Sequence, residues 1–127
     1  MMHLFAVALG GALGALGRYG VNGLLYPVAD NRFPLGTLAV NVIGSFLMGF
    51  LYVVIVEKGI LPPEWRNFLM VGFLGAFTTF STFSLDVLAL VEGGHYSLGL
   101  VYLLLSLFLC IGGIALAIFL ARILFAP

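Results

Sequence analysis

Gly72-Phe73-Leu74-Gly75-Ala76-Phe77-Thr78-Thr79-Phe80-Ser81-Thr82-Phe83-Ser84 lies inside a 19-residue uncharged run, Asn67 to Leu85, long enough to cross a bilayer. Its middle holds two glycines and five hydroxyl residues, a poor composition for a helix facing lipid. Glycine costs about 1 kcal/mol against alanine in a helix interior, and Ser and Thr hydroxyls compete for backbone groups. The spacing therefore predicts a helix that breaks or loosens near Gly75 to Thr78. Backbone groups released in hydrocarbon are tolerated only inside protein or along a wet cavity, and broken helices at mid-membrane recur where ions are held. Phe80 and Phe83, three residues apart, share one helix face. An aromatic ring is negative on its face and positive at its edge, so rings turned edge-on can solvate a small anion without a fixed cation. Core packing explains the same spacing, and spacing alone does not separate the two readings.

Outward from this stretch the rest of the chain is equally apolar. Of 127 residues 63 % are hydrophobic and 8 % charged, more apolar surface than a water-soluble domain of this size can hide. The uncharged runs are Met1 to Gly17, continued past Arg18 by Tyr19 to Ala29; Phe33 to Val56; Asn67 to Leu85; and Gly93 to Ala121. They predict an all-α membrane protein, a single subunit with four spans at about 3–26, 35–56, 66–91 and 96–124. A β-barrel would alternate apolar and polar residues, which these runs do not. The first run lacks a basic leader and more spans follow it, so it reads as retained rather than as a signal peptide.

Five basic and five acidic residues give zero formal net charge, so no basic face is offered to nucleic acid. Lys58, Arg66 and Arg122 fall on one side of the membrane against Arg32 and Arg18 on the other, a weak orientation bias. Four helices are too few to enclose a pathway, so oligomerisation is expected, and the weak bias permits copies inserted both ways. The lone cysteine, Cys110, cannot form an intrachain disulfide.

Helix by helix, small and polar residues form stripes. Gly10 and Gly14 make a small ridge that lets another helix approach closely. Thr37, Asn41, Gly44, Ser45 and Met48 fall on one face of the second span. The Asn41 amide offers two N–H donors, suited to an anion or to a bond between helices. Tyr102, Ser106 and Cys110 repeat the pattern on the fourth span, as an ion-passing ladder or as packing. Trp65 and Arg66 read as a headgroup-level anchor. Asp86, about 12 Å of rise beyond Thr78, would repel an anion at a pore mouth and is expected to have a structural partner, with Arg18 the candidate. No nucleophile with a base, metal-ligand spacing or phosphate loop points to catalysis, so no enzyme is expected.

Gly36-Thr37-Leu38 with Asn41, then Gly72-Phe73-Leu74-Gly75 running into Thr78-Thr79-Phe80-Ser81-Thr82-Phe83-Ser84, closely resemble the Fluc/CrcB family of fluoride channels. Gly14-Ala15-Leu16-Gly17-Arg18-Tyr19 and the four-span layout are also similar, so the likeness covers nearly the whole chain. The resemblance implies a fluoride-specific passive channel of the bacterial inner (plasma) membrane that exports cytoplasmic fluoride and protects the cell. It implies an antiparallel, dual-topology homodimer with two pores and a third helix broken at the dimer centre. Asn41, Phe80, Phe83, Ser81, Thr82, Tyr102 and Ser106 would line each pore, and the carbonyls of Gly75 and Thr78 from both copies would hold a structural Na⁺. Cys110 stands where the family often has serine or threonine. A proton-coupled small multidrug-type transporter is the main rival, but it needs a carboxylate in the first span, where this chain has none. A non-transporting scaffold would leave the Asn and Phe constellation without purpose.

Overall fold

In hydrocarbon the backbone must satisfy its own hydrogen bonds, so long uncharged runs become helices. The computed structural model describes residues 1–26 and 33–127, and among them every regular element is helical. Helix α1 spans Met2–Leu25 and α2 spans Leu35–Leu51, running on as a π-helical segment, Tyr52–Glu57. A second π-helical segment, Arg66–Leu74, passes into a single turn α3, Gly75–Phe77. Helix α4 spans Phe80–Glu92 and α5 spans Tyr96–Leu124. Four helical stretches are long and apolar enough to cross a membrane: Met2–Leu25, Leu35–Glu57, Arg66–Glu92 and Tyr96–Leu124. Residues 27–32 of the first connection, Arg32 among them, lie outside the described residues.

The other two connections turn on glycines at positive φ, Gly59 at 61° and Gly94 at 82°, where a side chain would be strained. The second closes α4 tightly, with His95 N–H donating to the Leu90 carbonyl at 2.8 Å. Just ahead of the first, Glu57 accepts from both Arg122 Nε, at 3.0 Å, and Arg122 Nη2, joining the ends of the second and fourth spans.

Close packing follows the small residues. A methyl group at Gly14 would overlap the Phe73 carbonyl, and one at Gly10 the Phe68 carbonyl, so the small ridge of α1 seats Arg66–Leu74 of the same chain. Gly49 of α2 similarly admits Ile114 of α5, where an added Cβ would lie 2.6 Å from the Ile114 carbonyl oxygen. Two buried clusters result: Val40, Leu74 and Phe77 on one side of α2, and Leu38, Phe83, Leu90 and Tyr102 on the other.

The expected pairing of Arg18 with Asp86 is not made. Arg18 Nε donates to the Ala76 carbonyl at 3.0 Å, because α1 lies along the segment 66–77. Asp86 sits on α4, which packs on α5, and its carboxylate accepts from the Tyr102 hydroxyl at 3.0 Å. Each ionisable group thus takes the nearest partner its own helix pair provides.

Candidate functional site

Between α3 and α4 the backbone is extended: Thr78 has φ −89° and ψ 157°, and Thr79 φ −153° and ψ 117°. Local hydrogen bonds account for this. The Thr79 N–H, which in a continuing helix would reach the Gly75 carbonyl, donates instead to Asn41 Oδ1 at 2.8 Å. Asn41 Nδ2 returns a bond to the Thr79 carbonyl at 3.1 Å, so one side chain of α2 clamps both backbone groups of Thr79. The Thr82 N–H, which would reach the Thr78 carbonyl, goes to Thr79 Oγ1 at 3.2 Å, capping α4. The Thr79 and Thr82 N–H groups are thereby directed away from the Gly75 and Thr78 carbonyls.

Asn41 was expected to serve an anion or a bond between helices; it makes the second, twice over. Among the described residues the second N–H of its amide makes no hydrogen bond. Thr79 was not singled out from the sequence, although a threonine three residues ahead of Thr82 at a helix start carries the capping signal.

The clamp opens onto a cavity of about 270 Å³. Its walls are Asn41, Gly44, Ser45 and Met48 from α2, Thr78 and Thr79, Phe80 and Phe83 from α4, and Ser106, Leu107, Cys110, Ile111 and Ile114 from α5. Asn41, Gly44, Ser45 and Met48 of the second-span stripe and Ser106 and Cys110 of the fourth therefore line one space, and among the described residues no carboxylate does. Phe80 and Phe83 meet with ring centroids 5.5 Å apart at 52°. Their surroundings differ: Phe83 is buried, while Phe80 is 76 % exposed. Ser106 is buried as well, and its hydroxyl has no hydrogen-bond partner among the described residues.

Four residues of the expected set stand off the cavity wall. Tyr102 is fully buried behind Phe83, ring centroids 5.3 Å apart, with its hydroxyl committed to Asp86. Thr82 and Ser81 bond the Thr79 hydroxyl, at 3.1 and 3.3 Å. Gly75 is exposed on the flank of α3.

A family model described as CrcB-like protein, Camphor Resistance (CrcB), matches residues 5–118. The chain belongs to the CrcB family. Among CrcB relatives, a protein of Saccharophagus degradans named Fluoride-specific ion channel FluC is 55 % identical over 92 % of this chain and 87 % of its own length. One of the same name from Hahella chejuensis is 50 % identical over 96 % of both chains. A third, from Coxiella burnetii, is 43 % identical over 95 % of this chain and 98 % of its own. Membership of this ion-channel family, with four apolar helices, makes the CrcB chain a multi-pass protein of a bacterial inner membrane and not an enzyme.

Proposed function

We propose that this chain is one subunit of a fluoride-specific channel that lets cytoplasmic fluoride leave passively and so protects the cell. The observation that carries the reading is one cavity walled by Asn41, Phe80, Phe83 and Ser106, with no carboxylate on it among the described residues. Fluoride is small and tightly hydrated, so a path for it must replace water with donors without holding the ion. The spare Asn41 N–H, the unpartnered Ser106 hydroxyl and the positive edges of the two rings are such donors. Ser81 and Thr82 extend the polar groups along α4, and Tyr102 backs the Phe83 ring from α5. The names of the relatives agree with this reading.

The working unit is an antiparallel homodimer with two pores, each lined from both subunits. The exposure of Phe80 supports this, since its own chain leaves most of that ring uncovered. The third span is broken at Thr78 and Thr79, and the carbonyls of Gly75 and Thr78 from two copies hold a structural Na⁺. The turning of the Thr79 and Thr82 N–H groups away from those two carbonyls suits this, because hard cations take oxygen ligands. A bound Na⁺ supplies fixed positive charge at the dimer centre, favouring anions nearby. The transporter alternative lacks its carboxylate in α1, and Asp86 is already engaged by Tyr102.

Fluoride efflux from proteoliposomes containing the purified chain, read by a fluoride electrode, tests this. Rapid efflux of fluoride with none of chloride is expected, and silence with fluoride would end the proposal.

A further inference from the structure

Gly44 is buried midway along α2, three residues after Asn41 and on the same face. Alanine would favour the helix there by about 1 kcal/mol, so it is a neighbour and not the helix that calls for a bare position. That neighbour is the break in the third span. An added Cβ at Gly44 would overlap Thr78 Cγ2 and lie 3.4 Å from Phe77 Cδ2. Thr78 cannot turn away freely, because its hydroxyl donates to the Leu74 carbonyl at 2.9 Å and this bond fixes the rotamer that aims the methyl at α2. The methyl therefore sits in the hole that Gly44 leaves. One residue on, Asn41 holds both backbone groups of Thr79. The two extended residues are thus fixed to α2 separately, Thr78 by contact and Thr79 by hydrogen bonds. Phe80, which shares the cavity wall with Gly44 and Asn41, follows directly in the chain.

We propose that Gly44 is a positioning residue for conduction: its missing side chain seats the Thr78 methyl on α2, and that seat sets how the break, and with it Phe80, faces Asn41 across the cavity. Its effect on transport rests on the fluoride reading above, whereas the seat itself does not. In Gly44→Ala two methyl groups compete for one space, so the break is pushed off α2 by on the order of 1 Å until the carbons regain ordinary contact. The Asn41 bonds to Thr79 stretch with it and weaken. Thr78→Ser keeps the hydroxyl and loses the methyl, so it vacates the space that the alanine needs.

A double-mutant cycle on the full chain tests this, with fluoride efflux from proteoliposomes counted per folded chain. Gly44→Ala is expected to slow efflux at least about tenfold in the wild-type background and less than about twofold in the Thr78→Ser background, a coupling in the range found for residues in contact. Hydrogen exchange of the detergent-solubilised protein reads the seat without reference to transport. In Gly44→Ala, exchange over Thr78 to Thr82 is expected to quicken at least about fivefold while that over α5 stays unchanged, and Thr78→Ser is expected to cancel the difference. Unchanged efflux and exchange in Gly44→Ala overturn the proposal. An equal loss in both backgrounds means that the alanine acts by filling the cavity, and overturns it too. Faster exchange everywhere, or failure of Gly44→Ala to fold while the double variant folds, reduces the contact to general stability and removes the positioning role. If the wild-type chain moves no fluoride, the function fails while exchange still decides the seat.

Discussion

Phe80 and Phe83 lie one turn apart on α4, yet only Phe83 is sealed by its own chain, against Tyr102. If ring edges solvate the anion, an aliphatic side chain of comparable bulk keeps the packing and loses the quadrupole. Phe80→Ile and Phe83→Ile are each expected to take fluoride flux below detection in the efflux assay while the dimer still elutes intact on size exclusion. Undiminished flux in either would argue against ring-edge coordination. Tyr102 has a different task, because its hydroxyl satisfies Asp86 from a fully buried position. Tyr102→Phe leaves that carboxylate short of a donor, and a loss of ~1–3 kcal/mol is expected in denaturant unfolding of the detergent-solubilised protein.

At the scale of elements, the extended pair Thr78-Thr79 is held by side chains rather than by sequence-local strain. Asn41 clamps the Thr79 backbone from α2, and the Thr79 hydroxyl caps α4. Thr79→Ala removes the cap and is expected to cost about 1 kcal/mol in the same unfolding measurement. The contact between α1 and Arg66–Leu74 depends on the absence of side chains at Gly10 and Gly14. In Gly14→Val the new methyls meet backbone that cannot rotate away, so a loss of ~1–3 kcal/mol or more and poor recovery of folded protein are expected. Gly20, with open space beside it, is the control: Gly20→Val should be recovered at near wild-type yield.

For the whole molecule, Lys58 is the only lysine and lies in the connection after the second span. If copies insert in both senses, Lys58→Cys in a Cys110→Ser background should be labelled to about half by an impermeant thiol reagent outside sealed vesicles, and fully once they are opened. Labelling of all or none before opening would require a single orientation and remove the antiparallel dimer.

Four spans were legible in the residue order because each uncharged run is long enough to cross hydrocarbon, where backbone hydrogen bonding leaves helix as the available form. The periodicity of Asn41, Ser45 and Met48 on one span, and of Ser106 and Cys110 on another, likewise marked faces that had to meet protein or water, since a helix repeat fixes which residues share a side. What those faces met was decided by tertiary structure. The one-cavity arrangement, the use of the Asn41 amide on the Thr79 backbone, and the choice of Tyr102 over Arg18 as partner for Asp86 depend on which helices lie side by side. That order is set by where glycines let backbones approach, and partners 16 to 58 residues apart in the chain, such as Asp86 with Tyr102 or Arg18 with Ala76, carry no periodic trace of one another.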